Sequence, residues 1–311
     1  MDIFLHILLN NIAPIFVIIM IGYMLGKRLD IDIKTLTKMN LYCFVPALVL
    51  VKVYETSINA GLLSAVLFTF ILLIAMTIVI IPLTRIRKYS QSVSNAVLNG
   101  VLFYNSGNFG LPLIMLVFNG SAMADYAVSI QIMVLMVQNL TTNTLGLYNA
   151  NRGRMNVLES LATIFKMPTI YGIIVAFIFK LLPWDMTKTF LWPAMSFIKD
   201  GLVPIALVTL GVQLSKAELD FRHLDVYITS FLRLIGGPAV AYLLILIMGY
   251  QGVMAQVLLI SSSVPTAVNT ALIAVEFDNE PDLASQVVLI TTLFSMFTIT
   301  GVIYLANLLY V

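Results

Sequence analysis

Two long apolar stretches of this chain are each interrupted by glycine, proline, amide or hydroxyl residues, at corresponding places in its two halves. The first interruption runs from Asn105 to Pro112 (NSGNFGLP), and the second runs from Ser261 to Thr270 (SSSVPTAVNT). Residues of this kind are unfavourable inside a hydrophobic span unless the opened backbone lines a polar cavity. A matched pair of such breaks is typical of the midplane binding site of a secondary transporter.

The composition indicates that these stretches lie in a membrane. The 311 residues are 60% hydrophobic and 10% charged, and their mean hydropathy is +1.00, whereas soluble domains carry about 25% charged residues. The single cysteine, Cys43, excludes an intrachain disulfide. The first apolar run lacks the basic region and the small-residue cleavage site of a signal peptide, so we expect it to be retained as a span.

Ten stretches are long and apolar enough to be spans, since a membrane-spanning helix needs about 20 mostly apolar residues. We therefore predict an all-α integral membrane protein with ten transmembrane helices. The predicted spans are residues 8–26, 36–54, 62–83, 94–118, 124–148, 160–182, 191–214, 224–249, 252–276 and 283–310.

Basic residues are distributed unevenly among the loops that connect these spans. Loops rich in Lys and Arg stay on the cytoplasmic side, so the bias predicts that the odd-numbered loops are cytoplasmic and that both termini lie outside the cell membrane. The odd-numbered loops hold twelve of the 17 basic residues: Lys27, Arg28, Lys34, Lys38, Arg85, Arg87, Lys88, Arg152, Arg154, Lys166, Lys216 and Arg222.

The two halves resemble each other in the placement of their prolines. Pro14 opens span one as Pro168 opens span six, and Pro46 in span two corresponds to Pro204 in span seven at nearly the same separation. Five spans in each half is an odd number, so the second half is inverted relative to the first, and spans four and nine become partners that cross near the midplane. The two predicted repeats are residues 1–150 and 151–311.

Three segments carry a resemblance to a known family. Residues 105–113 (NSGNFGLPL) resemble the broken fourth helix of the auxin efflux carrier family. Residues 265–277 (PTAVNTALIAVEF) and 281–283 (PDL) resemble its broken ninth helix and the start of its tenth. The loop between spans five and six covers only residues 148–159, which is similar to the compact bacterial branch of the family rather than to the plant members with their long central loop.

The resemblance implies a carrier of small organic acids, such as malate or malonate, that works by alternating access. It implies a scaffold of spans one, two, six and seven, which is often a homodimer surface, and a moving unit of spans three to five and eight to ten. The implied partners are the lipid bilayer and a small organic acid. We expect no cofactor and no nucleic acid, and the coupling ion, whether a proton or sodium, stays open.

The breaks themselves indicate candidate binding residues. In a broken helix, the amino-terminal end of a half-helix carries partial positive charge that suits a carboxylate, and the carboxy-terminal end carries partial negative charge that suits a cation. Amide side chains add donors and acceptors without the desolvation cost of a fixed charge. Pro112 is expected to prevent the helix from re-forming. The candidate binding residues at the breaks are Asn105, Gly107, Asn108, Pro112, Pro265, Thr266 and Asn269.

Span five is unusually polar, and we predict that Gln138 and Asn139 form a wall of the same cavity. Hydrogen bonding between helices is the alternative explanation for their presence. Two charged residues inside spans are further candidates, because such charges are rare. Arg233 is a candidate substrate contact, although it can also pair with Asp200 or Glu276 or extend to the membrane surface. Asp200 is a candidate for ion coupling, with an ion pair to the adjacent lysine as the alternative.

Other classes of protein find less support in the sequence. Neither His6 nor His223 belongs to a metal-ligand spacing, and there is no nucleophile motif or phosphate-binding loop. A membrane sensor would need an output module, and the short loops leave no room for one. A sodium- or proton-coupled carrier of the bile-acid symporter or antiporter kind stays open as an alternative, but it would favour paired carboxylates near the breaks.

Overall fold

The computed structural model describes residues 2–55, 60–151, 168–183, 185–216 and 223–310, and within these ranges the chain is almost entirely helical. Four of the basic loop residues named above (Arg152, Arg154, Lys166 and Arg222) lie outside the described residues. The helices are α1 (Phe4–Arg28), α2 (Ile33–Glu55), α3 (Gly61–Ile86), α4 (Gln91–Leu102), α5 (Leu111–Val117), α6 (Ala124–Thr141), α7 (Pro168–Leu181), α8 (Leu191–Ser215), α9 (Leu224–Met248), α10 (Gly252–Ser262), α11 (Val268–Glu276) and α12 (Pro281–Tyr310).

Six of the described helices are each long and apolar enough to cross a membrane: α1, α2, α3, α8, α9 and α12. The outward faces of these helices are apolar, with exposed side chains such as Ile78, Ile247 and Phe297. Exposed apolar faces of this extent are unsuited to water and suited to lipid. The described chain therefore has the all-helical fold of an integral membrane protein.

The other four predicted spans differ from single apolar helices, so the number of ten spans stays a prediction. Spans four and nine are each divided into two short helices, α4 with α5 and α10 with α11. The helix α6 continues to residue 150 through a π-helical turn, Thr142–Gly146, and its amide and hydroxyl side chains lower its hydropathy. Predicted span six begins at residue 160, but residues 160–167 lie outside the described residues.

Glycines set the closest contacts between helices that are distant in sequence. A Cβ atom on Gly22 of α1 would overlap the backbone of Val208 in α8, and one on Gly211 of α8 would overlap the backbone of Ile19. Similarly, a Cβ atom on Gly172 of α7 would lie 3.0 Å from the Pro46 carbonyl oxygen of α2. Small residues let helix backbones approach closely in membranes, where packing drives association. These contacts join α1 to α8 and α2 to α7.

Candidate functional site

Each of the two broken helices contains a short extended segment. The helix α4 ends at Leu102, residues 103–105 are not helical, and the chain re-enters a helix through a π-helical turn, Ser106–Gly110, that leads into α5. The helix α10 ends at Ser262, residues 263–267 are not helical, and α11 starts at Val268. Each break thus leaves one carboxy-terminal and one amino-terminal helix end in the interior of the protein.

The first break lies earlier in the chain than the sequence pattern indicates. Pro112 does not interrupt the helix, since the helix is continuous from Ser106 to Val117 and Pro112 closely follows its π-helical turn. A π-helical turn departs from the regular hydrogen bonding of an α-helix and so accommodates a residue that lacks an N–H. The actual break is centred on Tyr104, and Asn105 caps the helix that follows. The Asn105 side-chain oxygen accepts a hydrogen bond from the Asn108 N–H at 3.1 Å.

The two extended segments lie antiparallel and pair through their backbones. The Asn105 N–H donates to the Pro265 carbonyl at 2.8 Å, and the Ala267 N–H donates to the Phe103 carbonyl at 3.0 Å. These two hydrogen bonds bracket Tyr104 and Thr266, which face each other as a single β-bridge. The breaks therefore cross each other, and each satisfies backbone groups that the other has exposed, as a low-dielectric interior requires.

Side chains from two long helices complete the hydrogen bonds of the crossing. The Gln138 side-chain oxygen on α6 accepts the Tyr104 N–H at 3.1 Å. The Thr291 hydroxyl oxygen on α12 accepts the Thr266 N–H at 3.2 Å. The Thr266 hydroxyl in turn donates to the Gly100 carbonyl at 2.6 Å. The crossing is thereby fixed in place from both sides by buried polar side chains.

A cavity of about 50 Å³ adjoins the crossing, which is room for a few water molecules or a group of similar size. Its walls come from the start of α2, both breaks, α6 and the first turn of α11. The lining residues are Thr37, Asn40, Leu41, Val45, Tyr104, Asn105, Ser106, Gly107, Asn108, Leu135, Gln138, Asn139, Thr142, Ala267, Val268 and Asn269.

The described wall of the cavity is rich in amide and hydroxyl side chains but carries no full charge. None of the described residues that line it has a carboxylate, an ammonium or a guanidinium group. Instead it receives the amino-terminal ends of two half-helices, at residues 105–108 and 267–269. The first N–H groups of a helix have no partner within that helix, and the end carries about half a positive charge. Two such ends aimed at one cavity favour an anion.

Two amide groups in the cavity wall have unused hydrogen-bonding capacity. The Asn40 side chain donates to the Asn108 side-chain oxygen at 2.6 Å. That arrangement leaves the Asn40 oxygen, and separately the Asn105 side-chain nitrogen, buried without a hydrogen-bond partner among the described residues. A buried polar atom without a partner is costly, so these atoms are positioned for a ligand or for bound water.

The predicted binding residues divide into two groups. Asn105, Gly107, Asn108, Gln138, Asn139 and Asn269 all line the cavity. Pro112, Pro265 and Thr266 do not line it: Pro112 is the second residue of α5, and the other two form the crossing itself. Gln138 contributes to both the cavity and the crossing, because it lines the cavity and its side-chain oxygen also accepts a hydrogen bond from the Tyr104 N–H.

Arg233 and Asp200 lie away from the cavity. Arg233 is 1% exposed, and its guanidinium lies behind the Tyr104 ring, 4.7 Å from the ring centre. It donates to the carbonyl oxygens of Val101, at 2.7 Å, and of Ser262. Asp200 forms an ion pair with Lys199 at 3.2 Å and is largely exposed.

Sequence reasoning missed the contribution of α2. Asn40 and Thr37 line the cavity, yet neither lies at a break. The presence of an amide inside a predicted apolar span was a usable signal for Asn40. Its contact with Asn108, 68 residues away, had no signal in the sequence. In the described part of the chain there is also no group of three or more His, Cys, Asp or Glu side chains that could hold a metal ion.

A family model described as membrane transport protein matches residues 7–163 and 154–303. The chain belongs to this family, that of the auxin efflux carriers. The match confirms the resemblance carried by the two broken helices. Because the family and the similar proteins are transporters, it also confirms the prediction that this chain is not an enzyme.

Several family members are similar to this chain. An uncharacterized transporter of Methanothermobacter thermautotrophicus is 22% identical over 293 residues, which cover 92% of this chain and 94% of that protein. An uncharacterized transporter of Methanocaldococcus jannaschii is 22% identical over 302 residues, or 94% of this chain and 96% of that protein. A protein of Rhizobium meliloti whose assigned name proposes malonate transport is 28% identical over 142 residues, or 45% of this chain and 43% of that protein.

Proposed function

We propose that this membrane transporter carries a small organic anion, a dicarboxylate such as malate or malonate, across the cell membrane by alternating access at the cavity beside the crossed breaks. The observation that carries the proposal is that the amino-terminal ends of both second half-helices line this one cavity. Each end contributes about half a positive charge, so together they offset roughly one negative charge without a basic side chain among the described residues of the wall.

The side chains of the cavity supply the specific contacts in this proposal. The Asn105 side-chain nitrogen is a buried donor that has no partner among the described residues, and Asn269 and Asn139 add further amides. We assign Gly107 to close approach of the ligand to the backbone, and Asn108 and Gln138 to holding the wall in shape. Pro112 belongs to the half-helix that follows the first break, and Pro265 and Thr266 form the crossing on which these contacts depend.

The small cavity favours a small ligand, in keeping with the Rhizobium meliloti relative whose name proposes malonate transport. A cation-coupled carrier is the weaker alternative. A sodium or proton site built on carboxylates would require acidic side chains near the breaks, and none of the described residues that line the cavity is acidic. Asp200, the coupling candidate of the sequence, is paired with Lys199 at a largely exposed position.

The proposed architecture is ten spans in two inverted repeats, residues 1–150 and 151–311. Two observations support it. The contacts at Gly22, Gly211 and Gly172 join predicted spans one with seven and two with six, as a common scaffold would require. In addition, each bridge residue donates its N–H to a side chain on the long helix that follows it, Tyr104 to Gln138 and Thr266 to Thr291. We further propose that the scaffold forms a homodimer surface and that both termini lie outside.

The decisive experiment measures uptake of radiolabelled malate and malonate into proteoliposomes. Asn105→Ala and Asn269→Ala are expected to lower uptake by about tenfold or more, since a hydrogen bond to a charged group contributes about 1.5–3 kcal/mol. Asn119→Ala is the matched control, because Asn119 is an exposed asparagine outside the cavity, and it should transport like the wild type.

A second variant separates the two tasks of Asn105. Asn105→Asp keeps the oxygen that caps the π-helical turn, but it replaces the unpartnered nitrogen with an oxygen that repels an anion. We expect this variant to remain folded and to lose uptake. Wild-type uptake by Asn105→Asp and by Asn269→Ala would contradict a binding role for the cavity. Saturable uptake of other acids only would retain the site and change the substrate.

A further inference from the structure

Arg233 connects the carboxy-terminal ends of both first half-helices. Its guanidinium donates to the Val101 carbonyl, in the last turn of α4, at 2.7 Å, and to the Ser262 carbonyl, at the end of α10. In continuous helices these carbonyls would accept the N–H groups of Asn105 and Thr266, but those N–H groups donate to other partners in the crossing. The arginine therefore replaces the helical partners that the breaks removed.

The charge of this arginine is balanced by helix ends rather than by a carboxylate. Arg233 is 1% exposed, and no carboxylate among the described residues forms an ion pair with it. Each carboxy-terminal helix end carries about half a negative charge, so the two ends together offset about one positive charge. The Tyr104 ring, 4.7 Å from the guanidinium, adds a favourable cation–π contact.

The surrounding backbone leaves space for this guanidinium. Gly237 lies four residues after Arg233 on α9, and a Cβ atom there would come within 2.5 Å of an Arg233 nitrogen and 3.1 Å of the Ser262 carbonyl oxygen. The neighbouring Gly236 is different, because a Cβ atom there would come no closer than 3.7 Å to any described residue. A side chain at position 237 would therefore crowd the guanidinium where it reaches both carbonyls, whereas one at position 236 would not.

In carriers with broken helices, the carboxy-terminal half-helix ends and unwound carbonyls coordinate the coupling cation. In this protein the Arg233 side chain already occupies the position between the two carboxy-terminal ends. We infer that Arg233 is a fixed cation that takes the place of a bound sodium ion, so that the anion is transported without sodium. This inference rests on the proposed function and makes Arg233 a positioning residue: it holds the two carboxy-terminal ends together while the two amino-terminal ends face the anion.

The test compares uptake in sodium with uptake in choline, at fixed pH and fixed membrane potential. Wild-type uptake should be the same in both salts. Arg233→Ala should lower uptake by about tenfold or more, as expected for lost hydrogen bonds to a charged group. Millimolar guanidinium chloride should restore much of that uptake by filling the vacated space, whereas choline chloride should not. Arg233→Lys, which keeps the charge but only one point of contact, should give intermediate uptake.

A pair of neighbouring glycine variants covers the case in which Arg233→Ala does not fold. Gly237→Ala should displace the Arg233 guanidinium from the two carbonyls without removing its positive charge, and should therefore lower uptake several-fold. Gly236→Ala makes the same chemical change one residue away and should transport like the wild type. Equal, wild-type uptake by both glycine variants would overturn the inference, as would wild-type uptake that requires sodium.

Thermal unfolding in detergent separates this inference from the proposed function. Guanidinium at millimolar concentration should raise the unfolding temperature of Arg233→Ala and leave that of the wild type unchanged. If the wild type takes up no organic acid, the proposed function fails, and this readout still decides the role of Arg233. The absence of any stabilisation in a folded Arg233→Ala protein would overturn the inference even if transport of a dicarboxylate were demonstrated.

Discussion

Single glycines determine how closely the helices of the proposed scaffold approach. Gly22 and Gly211 lie on opposite sides of the contact between α1 and α8, where any Cβ atom would overlap the backbone of the other helix. In water such glycines would cost helix stability relative to alanine. In lipid, they are retained because the gain comes from close packing between the two backbones.

Gly211→Ala is expected to destabilise the protein by about 1–3 kcal/mol, the usual cost of overpacking a close contact. The measurement is the free energy of unfolding when a denaturing detergent is titrated into mild detergent micelles. Gly301→Ala is the control within α12, where a Cβ atom would meet no atom of the described residues within 4 Å. That change should be neutral or stabilising by up to about 1 kcal/mol. Equal effects of the two variants would contradict the packing role of Gly211.

Asn105 shows how one residue can serve both structure and binding. Its side-chain oxygen caps the π-helical turn, its N–H joins the second break, and its side-chain nitrogen remains without a partner among the described residues. A helix cap uses only the oxygen of an asparagine, so the amide nitrogen is available to a ligand. An aspartate would provide the cap equally well but would repel an anion.

At the scale of elements, the two broken helices depend on side chains that replace lost helical hydrogen bonds. The Gly100 carbonyl would accept the Tyr104 N–H in a continuous helix, but that N–H donates to Gln138. The Thr266 hydroxyl donates to the Gly100 carbonyl instead, at 2.6 Å. A break inside a membrane is therefore stable only if residues from other elements satisfy its backbone groups.

Thr266→Val keeps the shape of the side chain and removes this hydrogen bond. Because the Gly100 carbonyl is then left buried without its donor, we expect a loss of about 1–3 kcal/mol in the free energy of unfolding and slower uptake. Thr298→Val is the matched control, since the Thr298 hydroxyl makes only a long, 3.5 Å contact with a carbonyl of its own helix. A stable, fully active Thr266→Val protein would show that this hydrogen bond does not support the crossing.

At the scale of the whole molecule, the distribution of basic residues predicts which side of the membrane each loop faces. Lys34 belongs to an odd-numbered, basic loop, and Asn119 belongs to an even-numbered loop; both are exposed. In a Cys43→Ser background, Asn119→Cys should react with a membrane-impermeant maleimide in intact cells. Lys34→Cys should react only after the cells are permeabilised. The opposite labelling pattern would reverse the predicted orientation.

Much of the element-level organisation could be predicted from the sequence. Apolar runs identify the long helices because twenty residues of one character are a local signal. The break regions were likewise visible as polar residues within such runs. Their exact limits were not, because Pro112 lies within the continuous helix Ser106–Val117, close after its π-helical turn, while the extended conformation at Tyr104 is stabilised by its pairing with Thr266.

The candidate site was predictable only in part, because some of its residues are placed by contacts with residues distant in the sequence. Asn105, Asn108 and Asn269 were recognised because they lie at the breaks, and all three line the cavity. Asn40 was missed because its cavity position depends on a contact 68 residues away. Arg233 was recognised as an unusual charge, but its partners are backbone carbonyls, which every residue has and which therefore leave no sequence signal.

The sequence by itself determined that this chain is a helical membrane protein of a transporter family with two internal breaks, since hydropathy and composition are properties of neighbouring residues. The tertiary structure alone decided how the breaks meet, which helix ends face the cavity, and where the buried arginine is neutralised. Those features depend on hydrogen bonds between residues more than a hundred positions apart. Such bonds form only when the packed helices bring the opened backbones together in a medium that cannot solvate them.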